Sequence, residues 1–368
     1  MWGRPFFMDA GAHMRRIRSQ ITVAIAGLAL VGALLYSQSL GLEASFLPAP
    51  GGTFVEGVIG TPHELNPLLF STYAADRDIA RLVYAGMMRL DSSGQPVPDL
   101  AKSWAVSADG LAYTFVLRSG SRWHDGVPLS LDDVIFTIGL LRAADYPGPA
   151  DIGALWQQIS VAKLNATTLK LTLPEPFAPF LDHTTFPVLP AHRFSGIRSA
   201  DLSLHPANEN PVGAGPFRVE RLLRNESGQA VEALLAPNPY YHGQSPMLNH
   251  VRLLFLPDEA SAIEALRQGE IMGVGGLSNV ATTAFLPESD YDIFSALLPE
   301  YRLILFNQQN AALQFFRDKR VRQALLAGLN RERLVEEALA GQAVVASGPI
   351  LPGTWAVNDQ LRQVDYDP

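Results

Sequence analysis

Residues 113–138 admit one local arrangement, and the chain on either side has to accommodate it. Residues 113–117 alternate large apolar with smaller or polar side chains, as a half-buried strand does. Trp123-His124-Asp125-Gly126 ends in an Asp-Gly pair, which favours a turn because Asp bonds nearby backbone N–H groups and Gly takes positive φ without steric cost. Ser130 then stands as an N-cap, with Asp132 and Asp133 at the positive end of the helix dipole and Val134, Ile135 and Ile138 on one face. The unit is a strand, an aromatic turn and a capped helix.

Around it the chain divides by its breakers. Residues 47–52, Leu-Pro-Ala-Pro-Gly-Gly, form a linker, and the folded region starts after them. The spacing predicts a strand over 53–59, a break at Asn66-Pro67 and a helix over 76–88. Ser107-Ala108-Asp109-Gly110 is the turn of a hairpin whose return arm is 113–117. Strands are expected at 169–173, from Phe217, at 231–235, at 251–256 (an apolar run suited to burial on both faces) and at 301–306. Helices are expected at 259–268 with Ile263 and Leu266 inward, at 318–328 and at 331–340, the last closed by Gly341. Alternating strands and helices argue for an α/β chain.

The N-terminus carries a different signal. Arg15, Arg16 and Arg18 precede an uncharged apolar run over 21–36, an order that orients a chain with its N-terminus in the cytoplasm and the remainder outside. The run matches the upper limit of a signal-peptide core and falls slightly short of the roughly 20 residues of a membrane span. Ser37-Gln38-Ser39 offers a cleavage site; the uncleaved anchor is the preferred reading. Met8 or Met14 could be the true start. The expected division is 1–20 cytoplasmic, 21–42 signal or anchor helix, and 43–52 linker.

Composition narrows the chemistry. At 368 residues, 48% hydrophobic and 17% charged, the chain can bury sizeable cores. A net charge of −8 gives no general attraction to phosphate backbones, which disfavours nucleic acid as a partner. With no cysteine there are no disulfides, thiolate metal sites, cysteine nucleophiles or lipid-bearing cysteine. The histidines show no metal-binding helical pair, and no Gly-x-Ser-x-Gly elbow occurs. Gly213-Ala214-Gly215 lacks the third Gly and the Lys of a phosphate loop and reads as a turn before a strand. His124 beside Asp125 is read as structural, and Arg317, Lys319, Arg320 and Arg322 as a solvated helix face. No catalytic residue, metal site or cofactor is expected.

Several segments together resemble one family. They are Leu65-Asn66-Pro67; Val97-Pro98-Asp99-Leu100-Ala101 with Trp104; Tyr113-Thr114-Phe115 to Arg118; Trp123-His124-Asp125-Gly126; Asp132-Asp133-Val134; Gly213-Ala214-Gly215-Pro216-Phe217; Asn238 with Tyr240-Tyr241-His242-Gly243; Phe306-Asn307; and Val321-Arg322-Gln323-Ala324-Leu325. In this order they resemble the extracytoplasmic solute-binding proteins of peptide- and nickel-type ABC importers, from about Gly51 onward.

The resemblance implies a bilobal periplasmic-binding-protein-like α/β fold that closes over its ligand. Lobe one would combine 51–84 with 187–300, an extra subdomain would be inserted at 85–186, and 301–368 would begin lobe two and leave it incomplete. It implies a binding protein, not an enzyme, that captures a small solute, most naturally a peptide, and hands it to permease subunits outside the cytoplasmic membrane. A membrane-anchored sensing ectodomain on the same fold is the alternative. By family position Phe70, Ser71, Thr72 and Tyr73 would line the cleft, with Asn307 and Trp355 as further candidates; for Phe70 and Tyr73 ordinary core packing is the competing reading, and Trp123 reads as core. Three departures stand out: the chain is expected to stop early in lobe two, the lipid-bearing cysteine is absent, and Gly269-Glu270-Ile271 is followed by Met272 where the family often has Asp.

Overall fold

The computed structural model describes residues 10–39, 49–278, 291–294, 300–351, 357–358, 360–361 and 364–368. The chain divides into two units, Met1–Pro50 and Gly51–Pro368. The first holds a single helix, α1 (Ala10–Ser39), which starts well before the expected residue 21. Its apolar side chains Ile21, Val23, Leu28 and Leu30 are exposed. Among the described residues no helix is long and apolar enough to cross a membrane. The anchor expected over 21–36 is therefore not supported: a run of that length rises about 24 Å as a helix, against a hydrocarbon core of roughly 30 Å.

The second unit begins with β1 (Thr53–Ile59) and α2 (Ala74–Val83), followed by the short strands β2 (Met88–Leu90) and β3 (Pro96–Pro98) and the hairpin β4 (Ala101–Val106) and β5 (Ala112–Leu117). Next come α3 (Leu131–Arg142), α4 (Ala150–Gln158), β6 (Ser160–Lys163) and β7 (Thr168–Thr172). Then follow β8 (Phe217–Arg224), β9 (Ala230–Pro237), β10 (His250–Leu256), α5 (Glu259–Arg267), β11 (Gly273–Val274) and α6 (Lys319–Ala327). Helix Arg331–Arg333 passes into a π-helical turn, Leu334–Ala338, where one continuous helix was expected.

Two main sheets result. The larger has the order β11-β1-β10-β9-β8, with β1 parallel to both β10 and β11 and the remaining pairs antiparallel. The smaller, β4-β5-β7-β6, is antiparallel throughout and uses only residues 101–172. Tyr113, Phe115 and Leu117 of β5 are buried while their neighbours are not, the alternation read from sequence. They meet an aromatic cluster in which Trp156 stands edge-on to Phe186 at 5.1 Å and Tyr113 edge-on to Phe180 at 4.7 Å. Such pairs add about 0.5–1.5 kcal/mol each beyond their buried area.

The capping box of α3 is complete: Asp132 N–H donates to Ser130 Oγ at 3.2 Å, and Ser130 N–H donates to Asp133 Oδ2 at 2.8 Å. Asp133 is buried and also accepts from Ala191 N–H at 2.9 Å, so the cap ties the helix to a distant segment.

Several expected elements differ. The helix predicted to reach residue 88 stops at Val83, because Tyr84 is extended and Gly86 bridges Pro187, with Val188 N–H donating to Ala85 C=O at 2.9 Å. A Cβ on Gly86 would lie 2.7 Å from Thr185 O, so the two passing chains need glycine there. Strand β10 is not buried on both faces; Val251, Leu253 and Phe255 face the core, and the residues between them are half-buried. In α5 the buried residues are Ala262 and Ala265, while Ile263 and Leu266, expected inward, are half-buried. Helix α4 escaped notice behind the Pro-Gly loop, and β2, β3 and β6 are too short to show a period. No strand forms over 301–306: Leu303, Ile304 and Leu305 are 62%, 69% and 85% exposed and find no neighbouring strand among the described residues. From Glu300 onward no described residue is buried.

Candidate functional site

The segment joining β1 to α2 is where sequence placed the ligand contacts, and its shape is set by two buried polar side chains. Asn66, 1% exposed, caps the short 3-10 turn Pro67–Leu69 by accepting from Leu68 N–H at 3.1 Å, and its amide donates to Asn208 Oδ1 at 3.2 Å. Asp76, 2% exposed, accepts from His63 N–H at 2.7 Å, from Glu64 N–H at 3.2 Å and from Ser71 O–H at 2.5 Å. One carboxylate thus holds both ends of the loop. The Asn66-Pro67 break follows from sequence; that Asp76 would turn back into the loop does not.

Phe70 sits between these anchors in the left-handed region at φ 50, a conformation a bulky side chain seldom takes without surrounding constraint. It is 37% exposed and Tyr73 is 53% exposed, so both are set outward, and the core reading expected as their alternative does not describe them. The Tyr73 ring stacks on His63, centroids 4.2 Å apart and planes 5° from parallel. His63 carried no signal in the sequence. Thr72 is exposed, its carbonyl accepting from Arg77 Nη1 at 3.1 Å, and Ser71 Oγ accepts from Tyr73 N–H at 3.1 Å. Among the described residues, the N–H groups of Ser71 and Thr72 and the carbonyls of Phe70 and Ser71 make no hydrogen bond.

Carboxylates crowd the base of the segment. Burial raises Glu56, with the charge of Asp78 adding to it. Burial also raises Asp78, opposed by Arg81 and Arg77. Glu64 is raised by burial, partly offset by the Asn66 N–H and reinforced by Asp76. Among the described residues no group of three or more His, Asp or Glu could hold a metal ion.

The structure brings Phe70, Ser71, Thr72 and Tyr73 together in one outward-facing loop. Asn307 is exposed and accepts from Gln309 N–H at 3.0 Å in a local turn, not from this loop. Trp355 lies outside the described residues.

Several of the other family-like segments meet distant partners instead. His124 Nδ1 accepts from Gly213 N–H at 3.1 Å, so its proton is on Nε2, 3.3 Å from Gly215 O. His242 Nε2 lies 2.7 Å from buried Asp99, His192 Nε2 lies 2.8 Å from Asp125, and Asn238 Nδ2 donates to Gly215 O at 2.9 Å. Gly213 and Gly215 press against the end of α2; Cβ atoms there would fall 1.9 Å and 2.6 Å from backbone oxygens of Val83 and Leu82. Trp123 is fully buried. These residues act as scaffold.

The profile of bacterial extracellular solute-binding proteins, family 5 (middle), matches residues 95–368. The oligopeptide-binding protein AppA of Bacillus subtilis (strain 168) is 31% identical over 328 residues, covering 87% of this chain and 57% of that protein. A putative ABC transporter peptide-binding protein of Brucella ovis is 32% identical over 253 residues, 68% of this chain and 46% of that protein. The crystal structure of NikZ from Campylobacter jejuni in complex with Ni(L-His) superposes with a TM-score of 0.72 at 28% identity, over 86% of this chain and 60% of that one. The chain thus spans about half to three fifths of the length of these relatives, and within that span its fold is the α/β type of periplasmic binding proteins. Matched over most of its length by the family profile, and carrying that family's fold, the chain belongs to the bacterial extracellular solute-binding proteins of family 5.

Proposed function

We propose that this chain is the substrate-binding component of an ABC importer, capturing a peptide or a similar small solute outside the cytoplasmic membrane and delivering it to permease subunits. The observation that carries this reading is the loop of Phe70, Ser71, Thr72 and Tyr73: aromatic faces set outward, the N–H groups of Ser71 and Thr72 and the carbonyls of Phe70 and Ser71 without a hydrogen bond among the described residues, and the whole held by buried Asn66 and Asp76. Unpaired backbone groups beside aromatic faces suit an extended peptide, which offers matching main-chain groups at every residue. The relatives named above are binding proteins, which supports binding without catalysis.

In this reading 51–84 with 187–300 form lobe one, and 85–186 form an inserted subdomain. Supporting it, the larger sheet draws β1 from the first stretch and β8 to β11 from the second, the smaller sheet lies wholly within the insertion, and the chain passes itself at Gly86 and Pro187. Residues 301–368 start lobe two. Asn307 and Trp355 remain proposed contacts there.

A thermal-shift screen of the full chain against peptides, sugars and metal chelates tests the function. Peptides are expected to raise the melting temperature, and Phe70→Ala and Tyr73→Ala to weaken that effect by about tenfold in affinity, the loss of one aromatic contact. A screen in which no solute class shifts the transition would sink the proposal.

A further inference from the structure

Beside the 61–65 loop lies a groove of about 370 Å³, walled by His63 and Glu64 from the loop, His205 and Glu209 from the two ends of the 3-10 turn Pro206–Asn208, and Arg224 from β8. That volume lies within the roughly 300–1,000 Å³ of small-molecule pockets. Its base is rigid: Asn208, which lines it, accepts from the buried Asn66 amide and donates to Leu202 O at 2.7 Å. The loop residues His63 and Glu64 stand at its edge, while Phe70 and Tyr73 are not part of its lining.

The hydrogen-bond partners fix what each wall offers. His63 Nδ1 lies 2.7 Å from Thr61 O and so carries the proton, leaving Nε2 as an acceptor. His205 Nδ1 accepts from Ala207 N–H at 3.2 Å, so its Nε2–H is a donor. Arg224 spends Nη1 on Gly228 O at 2.9 Å and keeps the rest of its guanidinium, and Glu64 accepts only from Asn66 N–H through Oε1 at 3.2 Å. No further hydrogen-bond or ion-pair partner for these groups, or for the Glu209 carboxylate, occurs among the described residues, although the His63 ring stacks on Tyr73 and the His205 ring packs against Phe194. Beside them Leu204 is 82% exposed, a large apolar side chain standing at this rim.

The groove therefore offers a cation and an N–H donor, two carboxylates, and an apolar surface, all within a space too small for a long peptide. An inorganic anion would meet the carboxylates; a simple cation would meet Arg224. A molecule carrying both charges satisfies every wall. We propose that this groove binds a free α-amino acid with an apolar side chain: its carboxylate at Arg224 and the His205 Nε2–H, its ammonium at Glu64 and Glu209, and its side chain against Leu204. The ammonium would also relieve Glu64, whose burial already disfavours an unpaired charge.

An amino acid held there bears on the neighbouring loop. Glu64 is bonded to Asn66, and His63 stacks on Tyr73, so occupying the groove restrains the segment that presents Phe70 to Tyr73. This last consequence rests on the peptide-binding reading; the site itself does not.

Calorimetric titration of the full chain with leucine, N-acetyl-leucine and leucinamide tests the site. Leucine is expected to bind, and each capped analogue, lacking one charge, to bind about tenfold more weakly or worse, as does leucine to Arg224→Ala and Glu64→Gln, the loss of one charge-assisted hydrogen bond. Arg224 is exposed, so its variant keeps the fold. Phe70→Ala, at a residue outside the groove lining, is expected to bind leucine as the parent does while losing peptide affinity, which separates failure of this site from failure of the peptide reading. Absence of leucine binding, equal affinity for the three probes, undiminished binding by Arg224→Ala, or a loss confined to Phe70→Ala each overturns the proposal.

Discussion

His124 and Gly213 are bonded in both directions: His124 N–H donates to Gly213 O at 2.9 Å, and Gly213 N–H donates to His124 Nδ1 at 3.1 Å. The exchange joins the Trp-His-Asp-Gly turn to the Gly-Ala-Gly corner, and both partners of the second bond are largely out of water. His124→Ala strands the buried Gly213 N–H and is expected to cost about 1–3 kcal/mol. Chemical denaturation of the parent and variant measures it; equal midpoints would refute the staple.

The same imidazole makes stability depend on pH. Burial above all holds His124 at about 4, below its ordinary 6.5; the Gly215 carbonyl opposes the shift, Arg218 adds to it, and Asp125 opposes it. The unfolded chain therefore binds more protons between these values, so stability rises with pH there. The contribution, on the order of 3 kcal/mol, is fully present above pH 6.5 and lost as pH falls towards 4. Melting curves across that range should show the slope, and His124→Ala should flatten it.

Gly213→Ala brings a Cβ within 1.9 Å of Val83 O, and Gly215→Ala one within 2.6 Å of Leu82 O. The obstacles are backbone atoms at the end of α2, which cannot rotate away as a side chain does. Each substitution is expected to destabilise by about 1–3 kcal/mol or more through overpacking, read as a lowered melting temperature. Gly228→Ala, in an exposed hairpin turn with open space around it, is a control in which only the backbone strain of φ +82 acts.

Asp76→Ala removes three bonds at once, leaving the His63 and Glu64 amides without their acceptor. Hydrogen exchange at those two amides is expected to accelerate selectively, with peptide affinity falling although no proposed contact is altered. Unchanged exchange would mean that the loop is held by other means.

Local chemistry was legible where it is local. The Asp-Gly turns, the Ser130 cap and the alternation of β5 depend on neighbours within a few residues, and a short window reads them. What stayed hidden depends on distant partners. Asp76 is the first residue of the helix predicted over 76–88, and nothing near it in sequence announces its bonds to His63 and Ser71; His63 gains meaning only from Tyr73. The strand predicted over 301–306 had the right pattern but no neighbour among the described residues, and a pattern without a partner strand does not make a ladder. Quoted motifs such as Asp99 with His242, or His124 with Gly213 and Gly215, marked the family correctly while revealing nothing of their use, because each holds half of a joint whose other half lies far along the chain.

The parallel pairing of β1 with β10 has a consequence in time. Thr53 is opposite His250, a separation of 197 residues, whereas the smaller sheet closes between Ala101 and Thr172. Long loops must close before such pairings are rewarded, so the late ladder forms slowly and the local one early. On this basis β5 and β7 assemble first, and β1 waits unpaired until β10 reaches it. Pulsed hydrogen exchange during refolding should protect Phe115 and Leu171 before Val55 and Gly57. The order also gives the passing point at Gly86 and Pro187 a temporal role: it lets a finished insertion stand while the sheet that carries it is still open.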